Sequence, residues 1–148
     1  LIRSKENVFK SKDFLTRSSV IPECHGIYIA QPIGSKMRVI DKRRADIMPS
    51  VNDAHIKFGK AHNLKRRFKD YYYDNDGDVE FTPIIICKDY TKDKLKDLEK
   101  HIKSKLKNYQ MRNPKTNRPL EWLEGISYVN LKDIIIKSHN EFERLASL

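Results

Sequence analysis

Apolar positions along the chain alternate between a two-residue and a 3.6-residue period, and the switches outline a small α/β domain. Residues 1–20 are polar and mixed, and they read as a lead-in with a short helix that Pro22 ends. Gly26-Ile27-Tyr28-Ile29-Ala30 has the β-branched and aromatic make-up of a strand, broken after Pro32 and Gly34. Lys36 to Ile40 is expected to continue as its hairpin partner. Residues 41–53 read as an exposed loop, with Pro49, Ser50, Asn52 and Asp53 as turn formers. His55 to Gly59 is a second strand. Asn63 is a good N-cap for a helix from Leu64 to about Tyr72, with Leu64, Phe68, Tyr71 and Tyr72 on its apolar side. After the acidic turn from Asp74 to Asp78, Phe81 to Cys87 forms a third strand whose apolar run implies burial. Thr91 caps a long helix reaching about Tyr109, with the stripe Leu95, Leu98, Ile102, Leu106 and Tyr109. Residues 110–120 read as a loop, and Asn130 caps a last helix whose inner face carries Leu131, Ile134, Ile135, Ser138, Phe142 and Leu145. The expected architecture is α/β (α+β), a small central mixed sheet of about three strands flanked by helices.

Composition narrows the function. The 148 residues hold 30 Lys and Arg against 20 Asp and Glu, so the formal charge is 30 − 20 = +10. That length suits one compact domain. No run of roughly 18 apolar residues exists, which argues against a membrane span. The opening Leu1-Ile2-Arg3-Ser4-Lys5-Glu6 lacks an apolar segment, so no signal peptide is expected, and a Leu start hints at a processed or truncated chain. The expected location is intracellular. Cys24 and Cys87 are the only cysteines and form no Cys-x-x-Cys pair, which disfavours a disulfide framework or a structural zinc. They read as two buried thiols.

The positive charge is clustered. Lys36, Arg38, Lys42, Arg43 and Arg44 face one acid, Asp41, within residues 36–44. Lys57, Lys60, Lys65, Arg66, Arg67 and Lys69 face one acid, Asp70, within 57–70. Such clusters gain affinity for a polyanion by releasing counterions, and nucleic acid is the favoured partner over an anionic membrane surface.

Several positions resist a purely structural reading. At about 100° per residue, Glu99 lies roughly 40° from Leu95, on the core side of its helix. A carboxylate there is costly unless a cation or metal ion pairs with it, or its tip reaches solvent or a lysine at the stripe's edge. Beside it, Lys96, Lys100, Lys103 and Lys107 form a ridge suited to a phosphate backbone, or simply a solvated face. Arg67 borders the apolar side of its helix, while Lys65 and Arg66 point outward. It either reaches a site beside the sheet or forms an ion pair, Glu99 being one candidate partner. Tyr28 sits between Gly26 and Ala30 on one strand face, where small neighbours would leave its ring and hydroxyl accessible, or else it is a core tyrosine. Lys57 shares a face with His55 and Gly59, and His62 lies just before the Asn63 cap.

Gly26-Ile27-Tyr28, followed by Lys57-Phe58-Gly59-Lys60-Ala61-His62-Asn63-Leu64-Lys65-Arg66-Arg67, resembles the two motif blocks of the GIY-YIG nuclease superfamily. The stretch from Gly59 to Tyr71 is similar to the N-terminal incision domain of the bacterial excision-repair nuclease, where an arginine follows the motif glycine by eight residues, as Arg67 follows Gly59. The resemblance covers roughly residues 20–125. It makes Glu99 the counterpart of the family's essential glutamate. Glu121-Trp122 resembles a viral and bacterial subgroup. The family's second tyrosine is replaced here by Lys57, as in some restriction enzymes of the superfamily. The stretch between Tyr28 and Lys57 exceeds the usual hairpin, which divides the chain into a lead-in (1–20) and a nuclease-like domain (21–148) with a basic insert at about 31–54. Asn113 is the nearest match to an asparagine that often follows the glutamate.

The resemblance implies a metal-dependent endonuclease that hydrolyses DNA. Glu99 would hold Mg²⁺ (or Mn²⁺), and Arg67 would bind non-bridging oxygens as charge develops. Tyr28 would orient or deprotonate the water with Lys57 as the neighbouring cation, or Lys57 would itself be the base. Lys60, His62, Lys96, Lys100, Lys103, Arg43 and Arg44 would bind nucleic acid. Double-strand cutting would require two encounters or two copies, as in a homodimer, and target choice could come from further domains of a longer parent. A restriction, homing or repair role is left open. The competing readings are a non-catalytic DNA- or RNA-binding module on the same scaffold and a basic protein-interaction domain.

Overall fold

A computed structural model describes residues 12–42 and 48–148. The elements run α1 (Lys12–Ser19), β1 (Gly26–Pro32), β2 (His55–Ala61), α2 (Leu64–Asp74), β3 (Val79–Ile86), α3 (Lys92–Ser104), β4 (Gln110–Arg112), β5 (Pro119–Glu124) and α4 (Tyr128–Ala146), with a short 3₁₀ turn at Lys107–Tyr109. The strands make one five-stranded sheet in the order β3-β1-β2-β5-β4. Every pairing in it is antiparallel, so the expected mixed sheet of about three strands is corrected to an antiparallel one of five.

Helices cover both faces, which explains why β1 reads as an unbroken apolar run rather than an alternating one. Its Ile27 and Ile29 pack with Ile56, Phe58, Leu95, Leu98, Ile102, Leu131 and Ile135, beneath α3 and α4. Its Tyr28 and Ala30 pack on the other side with Leu64, Phe68, Tyr71, Tyr72, Phe81 and Trp122, beneath α2 and α1. β3 is an edge strand, and that position tolerates Pro83. The β1–β3 register slips between Ile27 and Tyr28, skipping Ile84 as a bulge.

The caps follow the local chemistry. Asn63 Oδ1 accepts from the Arg66 N–H at 3.0 Å, and Thr91 Oγ1 from the Lys94 N–H at 3.1 Å. For α4 the expectation was one turn late: Ser127, not Asn130, is the cap, its Oγ accepting from the Asn130 N–H at 3.1 Å. Leu145 is exposed rather than on the buried face. α3 stops at Ser104 instead of Tyr109. The chain tightens there, with the Lys105 and Leu106 N–H groups bonding to Ile102 and Lys103 carbonyls, so Leu106 stays buried without continuing the helix.

Two loop readings are also corrected. Residues 110–120 contain β4 and the start of β5, joined by a turn in which Asn117 takes a positive φ of 57°. β4 is three residues long and β5 begins at Pro119, too little for a period-two signal. In the insert, Lys36 to Ile40 is not a hairpin strand, and only an isolated bridge joins Arg38 to Val51. Ile40 at the end of that segment is buried in the core, and so is Val51, within the 41–53 stretch expected to be an exposed loop. Arg43 and Arg44 lie outside the described residues. Cys87 is buried and Cys24 half-buried, both as free thiols. Burial, then the neighbouring Cys24, pushes the Cys87 thiol up to about 12, so it is unreactive at neutral pH.

Candidate active site

A cleft of about 440 Å³ opens on the α2 side of the sheet. Sheet chemistry makes the room. On the face that carries Tyr28, Lys57 lies opposite Ala30 and Gly59 opposite Tyr28, so small residues alternate with large ones across β1 and β2. Gly59 has no spare space: a Cβ there would lie 2.7 Å from Tyr28 Oη and 2.9 Å from its Cζ. Gly59→Ala is therefore expected to displace the Tyr28 hydroxyl. The phenol resonances of Tyr28 should then shift in the nuclear resonance spectrum of the variant, and unchanged signals would contradict the close contact.

A break in the sheet admits the second half of the site. β5 pairs with β2 only from His55 to Lys57, so among the described residues no strand flanks the β2 backbone beyond Lys57 on that side. Glu99, from a helix on the opposite layer, reaches this open edge. Its Oε2 accepts from the Lys60 N–H and its Oε1 from Lys60 Nζ, both at 3.3 Å, with Lys103 Nζ at 3.7 Å. Glu99 and Arg67 therefore line one cleft although they belong to helices on different faces. The lysine pairing of Glu99 and its place in the cleft were alternatives on the sequence alone, and the structure has both.

Tyr28 is 1% exposed, and its ring stacks on Phe81 at 4.7 Å, so of the two readings the ring is that of a core tyrosine. Its hydroxyl is what meets the cleft. Arg67 Nη1 donates to Tyr28 Oη at 3.1 Å, so the guanidinium serves this tyrosine and not Glu99. Burial draws the Arg67 proton affinity down, but Tyr28 and the neighbouring Tyr71 and Asp70 outweigh it and hold the guanidinium firmly charged.

Lys57 is 2% exposed, at the centre of the sheet. Its Nζ donates to both oxygens of Asp41 and to Glu121 Oε2, each at 3.2 Å. Desolvation would lower its pKa, but Tyr28, Asp41 and Glu121 together raise it above its ordinary value. Its acidic and phenolic neighbours thus favour Lys57 in its charged form.

Several contributors were missed. Tyr71 was read as an apolar helix position, yet its hydroxyl lies 3.2 Å from Tyr28 Oη and 3.4 Å from Asp41 Oδ1. Its spacing of four from Arg67 was the available signal, since such pairs share a helix face. Asp41 also accepts from Trp122 Nε1 at 3.1 Å. Burial, then Tyr28 and Asp41, lifts the Tyr71 pKa well above the usual tyrosine value.

The expected nucleic-acid ligands separate. Lys60 and His62 line the cleft. What desolvation His62 has, then the charges of His25, Lys92, Lys60 and Arg67, lowers its pKa, so it is neutral at neutral pH. Lys103 stands beside Glu99, while Lys96 and Lys100 are exposed on α3 outside the cleft lining. Lys107 falls after the end of α3, so the lysine ridge is shorter than the sequence spacing implied. Asn113 is not at the cleft: its Oδ1 accepts from the Lys115 and Thr116 N–H groups and shapes the β4–β5 turn. Among the described residues, no three His, Cys, Asp or Glu side chains gather as a metal cage. Nor, among the described residues, is any helix long and apolar enough to cross a membrane.

The fold and cleft define a mixed α/β domain with a polar, two-layered site. Residues 27–139 match the T5orf172 domain, and the chain belongs to that family. The domain occurs in nucleases of phages and mobile elements. No curated protein and no solved structure gives a significant match.

Proposed function

We propose that this chain is a GIY-YIG-type endonuclease that hydrolyses DNA phosphodiester bonds in a metal-dependent reaction. The observation that carries the proposal is the convergence of Arg67 and Glu99 on one cleft, with the Tyr28 hydroxyl at its floor.

The donor set fits a hard divalent ion. Mg²⁺ is bound through one or two carboxylates, with waters and substrate oxygens completing its shell, so a full protein cage is not required. Glu99 would hold Mg²⁺, or Mn²⁺, in exchange for lysine ammoniums on long, half-exposed side chains. When bound, the ion supplies positive charge against the leaving 3′ oxygen and a non-bridging oxygen.

The protein's own groups do the rest. Arg67 binds the non-bridging oxygens as negative charge grows, in a site where its guanidinium is already charged and aimed. Tyr28 Oη accepts one hydrogen bond from Arg67 and has a further lone pair with which to orient the attacking water. Lys57 acts as a buried cation near Tyr28, the role that the absent second tyrosine leaves open. Lys60, with Lys96 and Lys100 outside, would track the phosphate backbone. The products are a 5′-phosphate and a 3′-hydroxyl.

A non-catalytic binding module is the second reading, favoured by one observation: the Lys57 charge is taken up by Asp41 and Glu121. Incubation with supercoiled plasmid separates the two. The nuclease gives nicked or linear DNA with Mg²⁺ and unchanged plasmid with EDTA. Salt-sensitive binding with no conversion under any divalent ion would overturn the nuclease in favour of the module.

A further inference from the structure

We infer that Asp41, supplied by the insert between β1 and β2, is a positioning residue that sets the direction of the Tyr71–Tyr28 hydroxyl pair, so that Tyr28 presents a free lone pair to the cleft. The inference rests on the phosphodiesterase reading and names a residue outside both motif blocks.

Hydrogen counting carries it. Asp41 is the ion-pair partner of Lys57 and so acts only as an acceptor. Tyr71 has one hydroxyl proton, and it donates that proton to Asp41 Oδ1. Tyr71 therefore has nothing to give Tyr28, and in the 3.2 Å contact between the two hydroxyls Tyr28 must be the donor. Arg67 Nη1 fills one lone pair of Tyr28 Oη. The second is left, and Tyr28 lines the cleft where a water would lie.

Without Asp41 the chain has no fixed direction. Tyr71 could then turn its proton toward Tyr28, and Tyr28 would point its own at the cleft, presenting a donor where the water needs an acceptor. A buried carboxylate that fixes the orientation of a catalytic imidazole works by the same logic, without itself changing protonation. Asp41 is itself held in place: Trp122 Nε1 and Lys57 Nζ both donate to Oδ2, at 3.1 and 3.2 Å. The insert thus completes the site rather than only lying beside it.

Two variants test this. Asp41→Asn removes the obligate acceptor. Tyr71→Phe cuts the same chain one link nearer Tyr28 and leaves the Asp41 bonds to Lys57 and Trp122 intact. It therefore decides the matter if Asp41→Asn fails to fold. Single-turnover cleavage of a labelled duplex with Mg²⁺ should slow by about 10²-fold in each, within the range expected of a positioned proton-handling group. The dissociation constant for the same duplex should stay at the wild-type value. The double variant should be no slower than the slower single one, because both changes break one chain. A merely structural role would instead multiply the two losses and weaken binding. Tyr71→Phe cutting at the wild-type rate, or multiplying losses in the double variant, overturns the role of Asp41 while leaving the nuclease intact. A wild-type protein that never cuts overturns both.

Discussion

Replacing Glu99 by Ala is expected to abolish cleavage while the protein still folds and still binds DNA. Rates should fall at least about 10³-fold, since a bound ion contributes several kcal/mol of transition-state charge stabilisation and each 1.36 kcal/mol is about tenfold. The fold should tolerate the change. The Glu99 partners are the Lys60 and Lys103 ammoniums, which can turn to solvent, and the Lys60 backbone N–H beside the cleft, while Leu95, Leu98 and Ile102 carry the packing of α3. Losing a carboxylate that faces a polyanion should if anything tighten binding. Arg67→Ala should cost about 10²–10³-fold in rate, as removal of one oriented donor does elsewhere. It should weaken binding modestly, because Arg67 is one of several cations. Gel-based cleavage beside fluorescence anisotropy of the same duplex gives both readouts. Either variant cutting at the wild-type rate would remove its residue from the chemistry.

Lys57→Met is expected to have the largest effect on stability. The ammonium is almost wholly buried, and its loss leaves Asp41 with two neutral donors and no cation. Glu121, with a side chain 38% exposed, can recover water, so most of the penalty falls on Asp41. Breaking a buried pair in this way costs about 3–5 kcal/mol, and urea denaturation should show it as a lower midpoint with an unchanged slope. The pH dependence has a definite sign. The folded pKa of Lys57 is raised above its ordinary 10.5, so the lysine contributes fully below that value and loses its contribution only as pH climbs through the higher folded pKa. The stability gap between wild type and Lys57→Met should be flat from neutral pH to about 10 and close above it. A gap that closes between pH 7 and 9 would mean that Lys57 titrates low, and would favour it as the base.

How much of this was readable beforehand depends on the range of the interaction. α2 was legible because its cap and its apolar spacing are local, and the structure extends it only from Tyr72 to Asp74. Glu99 could be singled out from helical phase alone, since a carboxylate on a packing stripe is a local contradiction. What phase could not say is that β5 leaves β2 after Lys57 and bares the Lys60 N–H that Glu99 meets. The burial of Lys57 was half-visible, as a lysine inside a strand. Its partners were not, because Asp41 and Glu121 stand 16 and 64 residues away and only the tertiary fold unites them. Asp41 was hidden by its neighbours: in a run of lysines and arginines it reads as a lone surface acid. Tyr71 was hidden by its own duality, a ring that satisfies an apolar stripe and a hydroxyl that serves the site. The edge hairpin of β4 and β5 escaped because three residues and a proline carry almost no periodic signal.

One measurement bears on the union of carboxylate and guanidinium more directly than any rate. Mn²⁺ added to the protein with a short duplex broadens nuclear resonance signals close to the ion. The Gly59 and Lys60 amides and the Arg67 guanidinium should broaden together, and the effect should vanish in Glu99→Gln. Broadening confined to another surface, or unchanged in Glu99→Gln, would contradict a single ion-bound phosphate site between the two helices.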